Sequence, residues 1–350
     1  MHNRINFRNS TGPGIGGYLI TGILLAGLLL IGCSKDLFYL PGASIQEELD
    51  KAIESGFDGM IVYVNQSGTS AFYSAGFDNR EQQLPADPHV LFKIASISKL
   101  YMAAATCKLV ANQALSLEST LAQLIPEVAG SIENADQITL KMLLGHRSGI
   151  PEYIYHPDFD SGTTDSYLET AALIFDQPAD FAPDQSYAYT NTNFLLIGEI
   201  LDRTLGYSHH TFIRQEILLP LGLNNTYSLF HEVDSNAVMN GYLKGYDPSI
   251  RSWDHTRPGG SMIATAEEVG LFLRALIDGT LLNAQEQAIY TSVYPYEHTG
   301  WLPGYTSIAR YHSDIDAVVI QFVNTSGTGF FWIELERVYS RLVKILETES

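Results

Sequence analysis

An α/β fold of the α+β type, in which one sheet is completed by both ends of the chain and interrupted by a mostly helical insertion, is predicted by three observations. Hairpin-like strand patterns occur near residues 60–77 and again near 305–324, the stretch between about 117 and 282 reads as helices joined by long loops, and the final segment returns to helical spacing. At 350 residues, 45% hydrophobic and 17% charged, the chain has the composition of one large globular domain or two interleaved ones with a sizeable core.

The elements follow in order. Residues 1–32 carry Arg4 and Arg8 and no acid, then an apolar run from Tyr18 to Gly32 that is shorter than the roughly 20 residues of a membrane span, so they read as a secretory signal peptide. Residues 33–43 form a short tether. Ser44 with Glu47 is a capping box, and Ile45, Leu49, Ala52 and Ile53 give the helix behind it an apolar stripe that Gly56 stops. "MIVYVNQSGTSAFYSAGF" is a hairpin around Gln66, Ser67 and Gly68, and "LFKIASISKLYMAAA" starts a helix near Ser96. Helical periodicity then marks "NFLLIGEILDRTLG", "TFIRQEILLPLGL" and "TAEEVGLFLRALIDG", the last with a second capping box at Thr265 and Glu268. A hairpin turning at Ser313 and Asp314 and a helix with Phe331, Leu335, Val338, Leu342 and Ile345 on one face close the chain. The expected division is a sheet part from about 44–115 and 285–350 and a helical part from about 116–284.

With 20 basic and 39 acidic residues the net charge is −19, which argues against nucleic-acid partners and against a polybasic membrane patch. Loss of residues 1–32 removes two cations and no acid, leaving −21. The two cysteines sit in different settings. Cys33 ends the apolar run, and Cys107 falls where a small buried residue belongs. "LIGC" resembles a bacterial lipobox, which implies cleavage before Cys33, acylation of that residue and anchorage of an exported protein to a lipid membrane of the cell envelope.

Three stretches carry chemistry. Ser96 and Lys99 are three apart at the start of a helix, so the amine reaches back toward the hydroxyl one turn earlier. Alone this spacing also fits a capped, solvated helix start. The neighbouring Phe92, Ile94, Ile97 and Ala103–Ala105 make the helix look buried, however, and a buried lysine has a depressed pKa suited to taking a proton from serine. Ser98 points to another side. Tyr189 and Asn191 precede the next helix two apart and project together from an extended loop, although Asn191 or Thr192 also suits a helix cap. His298, Thr299 and Gly300 lie at the edge of the late strand region, where Gly300 permits close approach of another backbone. His146 within "HRSG" reads as structural. His209 and His210 lack metal-ligand spacing, so neither metal nor other cofactor is expected.

Together, in this order, Ser96-Ile97-Ser98-Lys99, Tyr189-Thr190-Asn191 and His298-Thr299-Gly300 resemble the three motifs of the serine β-lactamase and penicillin-recognising hydrolases, in the branch of class C β-lactamases, D,D-carboxypeptidases and related esterases. The resemblance covers roughly residues 45–345. It implies a β-lactamase/D,D-peptidase-like fold, an antiparallel sheet flanked by helices with an inserted mostly helical domain, and a site in the cleft between them. It also implies Ser96 as nucleophile and Lys99 or Tyr189 as base. Asn191 would bind the substrate amide, the backbone N–H groups of Ser96 and Trp301 the oxyanion, and His298, Thr299 and Gly300 a substrate carboxylate or polar tail, with His298 expected to titrate near the ordinary histidine value of about 6.5. Two departures bear on specificity: Pro183-Asp184 replaces the Pro-Gly common before the second motif, and Trp301 is bulky for its place. The expected function is a membrane-anchored acyl-enzyme hydrolase, D-Ala-D-Ala carboxypeptidase-like on peptidoglycan-type peptides. The alternatives are a carboxylesterase, a β-lactamase, or a catalytically silent penicillin-binding or sensor protein on the same fold. The substrate partners are accordingly small peptides, esters or β-lactams.

Overall fold

The computed structural model describes residues 44–159, 166–327 and 330–349. The segments expected as signal peptide and tether, with Cys33, lie outside them. Helix α1 (Ile45–Glu54) begins at the expected capping box, with Ser44 Oγ accepting from the Glu47 N–H. Strands β1 (Gly59–Gln66) and β2 (Thr69–Asn79) form the first hairpin, whose turn residues Ser67 and Gly68 both have positive φ, 49° and 81°, the conformation that continues the strand twist.

After the short strands β3 (Leu84–Pro85) and β4 (Phe92–Lys93) come α2 (Ser98–Ala111) and α3 (Asn191–Leu205). β5 (Thr226–Tyr227), β6 (Tyr242–Leu243), β7 (Ile263–Ala264), α4 (Ala266–Asp278) and α5 (Ala284–Thr291) follow. The chain then runs through β8 (His298–Leu302), β9 (Tyr305–His312), β10 (Ala317–Val323) and β11 (Thr325–Ser326) into α6 (Phe330–Glu349). The large sheet has the order β3-β2-β1-β10-β9-β8 and is antiparallel throughout, so the late strand β10 lies beside the early strand β1, with Tyr63 opposite Ile320. This is the sheet completed from both ends that the patterns predict.

Neighbouring residues of β1 and β10 point to opposite faces, and both faces are covered. Tyr63 meets α4, where Gly270 leaves no room for a Cβ (2.2 Å to the Tyr63 ring), while Gln321 on the other face reaches the Leu335 carbonyl of α6. Helix α4 belongs to the segment expected as helical insertion yet lies on the large sheet, and that segment also supplies β5, β6 and β7. Helix α2 is buried along nearly its whole length and stacks Tyr101 on Phe272 of α4 at 3.7 Å. Cys107 is buried on it as a free thiol.

Local details differ from the sequence reading where a side chain finds a better partner. Thr265 caps the Glu268 N–H, but the Glu268 carboxylate turns to Asn225 and Thr226 instead of completing a capping box. "TFIRQEILLPLGL" splits into a short helix, His209–Ile213, and a wider turn, Arg214–Leu218. The last hairpin turns over residues 313–316, with Asp316 at φ 44°.

Candidate active site

Ser96 sits in a single 3₁₀ turn, Ala95–Ile97, immediately before α2 rather than inside it. Ala95 has φ +52°, a left-handed conformation that a residue with a Cβ adopts at a cost, and the surroundings hold it there. Ser98 Oγ donates to the Ala95 carbonyl at 2.6 Å and accepts from the Met262 N–H at 3.2 Å. Ser307 Oγ donates to the Ile94 carbonyl at 3.1 Å. Gly300 seats β8 on the same turn: a Cβ there would lie 2.5 Å from the Ile94 carbonyl oxygen and 2.2 Å from Ser307 Oγ. The close backbone approach expected of Gly300 is thus directed at the turn that carries the nucleophile.

Lys99 has no exposed surface. Its Nζ donates to Ser96 Oγ at 2.9 Å, Asn191 Oδ1 at 2.9 Å and the Gly259 carbonyl at 2.8 Å. Burial pulls its pKa down to about 7, and the charge of Glu152 opposes that shift. Tyr189 O–H donates to Ser96 Oγ at 2.9 Å. Desolvation raises its pKa above the usual phenol value although 40% of the residue is exposed. Ser96 Oγ therefore lies between an amine able to be neutral near pH 7 and a phenol that keeps its proton. Such a pair can take a proton from the serine and give one to a leaving group.

Asn191 is not the cap of α3. Thr190 is, its Oγ1 accepting from the Thr192 N–H at 3.2 Å, which leaves the Asn191 carboxamide free to face Lys99. The loop before it keeps a left-handed turn without glycine. Asp184 has φ +63°, and Arg147 donates to both its carboxylate and its carbonyl.

His298 is half-buried, its ring 5.9 Å from that of Tyr189 and stacked at 6.1 Å on Tyr294. Burial first, then the nearby Lys99, pull its pKa down to about 3, and its Nδ1–H is given to the Thr299 carbonyl. The expectation that His298 titrates near its ordinary value is corrected: it is neutral across the physiological range. Thr299 is half-buried on the same wall, and Trp301 is 41% exposed beside it.

Sequence reasoning missed several participants. His146, read as structural, stacks on Tyr189 at 4.5 Å and accepts from the Thr190 N–H at 3.2 Å. Glu152 accepts from Asn191, and Gly259, at φ +74°, offers Lys99 its carbonyl. The first two lie six positions apart in "HRSGIPEY", where no spacing rule marks either. A cavity of about 350 Å³ opens beside Tyr189, walled by His146, Tyr187, Tyr294, His298 and Arg310. Arg310 is held there by two 2.7 Å contacts with Glu336 and by Glu297 at 3.6 Å. Among the described residues no group of three or more His, Cys, Asp or Glu side chains is placed to hold a metal ion.

Comparison with known proteins gives the family and the fold. The family model described as "Beta-lactamase" matches residues 44–293. Penicillin-binding protein 4* of Bacillus subtilis is 22% identical over 281 residues, 79% of this chain and 59% of that protein. A beta-lactamase of Pseudomonas fluorescens is 27% identical over 210 residues, 58% of this chain and 56% of its own length. The chain thus spans less than two thirds of these relatives. In fold it is similar to D-amino acid amidase from Ochrobactrum anthropi SV3 solved with L-phenylalanine (TM-score 0.77, 21% identity, 87% of this chain and 98% of that one). A penicillin-binding protein from Bacillus halodurans shares the fold at TM-score 0.69 and 20% identity, over 86% of this chain and 99% of that one.

Proposed function

The chain belongs to the beta-lactamase family of serine acyl-transfer hydrolases, and from that premise we propose that it cleaves amides or esters through an acyl-enzyme on Ser96. The observation that carries this is the placement of Ser96 Oγ within 2.9 Å of both Lys99 Nζ and the Tyr189 hydroxyl. Neutral Lys99 takes the Ser96 proton as Oγ attacks the carbonyl carbon. Tyr189 gives its proton to the departing nitrogen or oxygen. A water then takes the leaving group's place, and the proton flow reverses to free Ser96. Asn191 orients the substrate amide, and the backbone N–H groups of Ser96 and Trp301, the latter on edge strand β8, hold the oxyanion. The intact quartet of Ser96, Lys99, Tyr189 and Asn191 speaks against a silent sensor.

The charge inventory of the cleft bears on the substrate. D-Ala-D-Ala carboxypeptidase-like action on peptidoglycan-type peptides requires a receptor for the terminal carboxylate, and His298 is neutral while Arg310 is held by two glutamates. We therefore favour amides or esters that lack a terminal carboxylate, a reading that the amidase neighbour's name supports, over peptides recognised by a terminal carboxylate. A D-alanyl dipeptide and its C-terminal amide decide between them. The expected result is kcat/KM for the amide at least equal to that for the acid, with parallel profiles between about pH 5.5 and 8.5, because a histidine with a pKa of about 3 changes no charge in that window. A preference of more than about tenfold for the acid, fading above the ordinary histidine value near 6.5, would restore His298 as an anion receptor and the carboxypeptidase reading with it.

The lipobox-like "LIGC" supports export and anchorage through acylated Cys33 to a membrane of a bacterial cell envelope. Mass spectrometry of the mature protein is expected to find an N-terminal, lipid-bearing Cys33, and Cys33→Ala to leave the protein unprocessed. An unmodified Cys33 in mature protein overturns the anchor.

A further inference from the structure

We propose that Glu152 is a positioning residue of this site, fixing the Asn191 carboxamide with its oxygen toward Lys99 and setting the negative charge against which the Lys99 amine titrates. The proposal rests on the reading that Ser96 and Lys99 carry out acyl transfer.

One carboxylate oxygen of Glu152 accepts from both the Asn191 backbone N–H, at 2.7 Å, and the Asn191 Nδ2, at 2.9 Å. A carboxylate only accepts, so the amide must turn its NH₂ to Glu152, which sends Oδ1 to Lys99 Nζ at 2.9 Å. The flipped amide would oppose oxygen to carboxylate and NH₂ to ammonium at once. Glu152 is itself fixed. Its other oxygen accepts from the Ile154 N–H at 3.2 Å, and the residues on either side are laced to Thr192, whose Oγ1 donates to the Pro151 carbonyl at 2.6 Å and accepts from the Tyr153 N–H at 3.1 Å. An anion at the first turn of α3 also faces the positive end of a helix dipole.

The other groups around Lys99 leave Glu152 as the near anion. Tyr189 and Ser96 are neutral, and His146 and His298 are both pulled down to about 3. Arg257 precedes Gly259 by two residues and is cationic. Burial lowers Lys99 and Glu152 raises it, so removing the charge of Glu152 moves Lys99 further down.

The test is Glu152→Gln in the full chain, with rates on a neutral ester divided by the active fraction from fluorophosphonate titration. The expected kcat/KM is about tenfold lower, and the acidic limb moves to lower pH by about half a unit or more, the scale of an unlike charge near contact. Glu152→Asp, which keeps the charge on a shorter arm, should lose rate with its limb near the wild-type position. The Lys99 ¹³Cε resonance, followed against pH in labelled protein, reads the same titration without turnover. A Glu152→Gln protein in which both the limb and the resonance titrate as in wild type overturns the proposal, since a purely structural role would change the amount of active enzyme and not the pKa. Hydrolysis surviving in Ser96→Ala would instead overturn the acyl-enzyme reading on which it rests.

Discussion

Ser96→Ala is expected to abolish covalent labelling by fluorescent penicillin or fluorophosphonate and to lower turnover by about 10⁴-fold or more, the scale of losing a nucleophile that works with its base as a unit. The fold should tolerate it, with the thermal midpoint within about 2 °C of wild type, because one hydroxyl is deleted and the neighbouring donors reach the space it leaves. Ser98→Ala is the informative partner. Ser98 is buried, and its hydroxyl braces the Ala95 carbonyl and the Met262 N–H; the carbonyl keeps the Ser98 backbone N–H, so loss of the hydroxyl strands the Met262 N–H at about 1–3 kcal/mol of stability. The sequence alone suggests that Ser98→Ala keeps most of the activity. The structure makes it a less stable enzyme that still acylates at a temperature below its midpoint. Labelling kept by Ser96→Ala and lost by Ser98→Ala under those conditions would reassign the nucleophile.

Lys99→Met should slow acylation by about 10²–10⁴-fold, the usual contribution of a general base, and should erase the rise of kcat/KM through pH 7 that a base with a pKa of about 7 produces. Stability carries an independent signature. In the unfolded chain this lysine holds its proton up to about 10.4, whereas the buried amine releases it near 7, so between those values the unfolded state binds more protons and wild-type stability rises with pH. The methionine variant lacks that slope. It should compare best with wild type below pH 7, where burying the charged amine costs most, and lose ground toward pH 10. Chemical denaturation across that range measures it. A variant that keeps the wild-type rate profile would remove Lys99 from proton transfer.

What was legible in the sequence was local. The capping box at Ser44, the turn at Ser67 and Gly68 and the apolar face of α6 each rest on residues within a few positions of one another, where backbone chemistry leaves few choices. The three motifs were legible through their order along the chain. Glu152 was not, because it acts on Asn191 across 39 residues, and Gly259 meets Lys99 across 160, with no spacing rule to announce either. The neutrality of His298 was equally hidden: a titration set by burial and a neighbouring amine exists only once the cleft does. Asn191 shows how a motif residue can share its place with a local alternative. Its place at a helix start suggested a cap, and Thr190 takes that task.

The seating of β8 on the nucleophile turn also orders events in time. Ile94 is bound to Ser307 across 213 positions, and β9 and β8 join the early strands through the pairing of β10 with β1. Such long closures make for slow, late assembly. A nascent chain that has emerged only as far as α5 already contains Ser96, Lys99, Tyr189 and Asn191 and the Ser98 brace, yet it lacks Ser307 and the β8 strand that seat the strained Ala95 turn from the other side. The turn that carries the nucleophile is therefore completed by the last strands made.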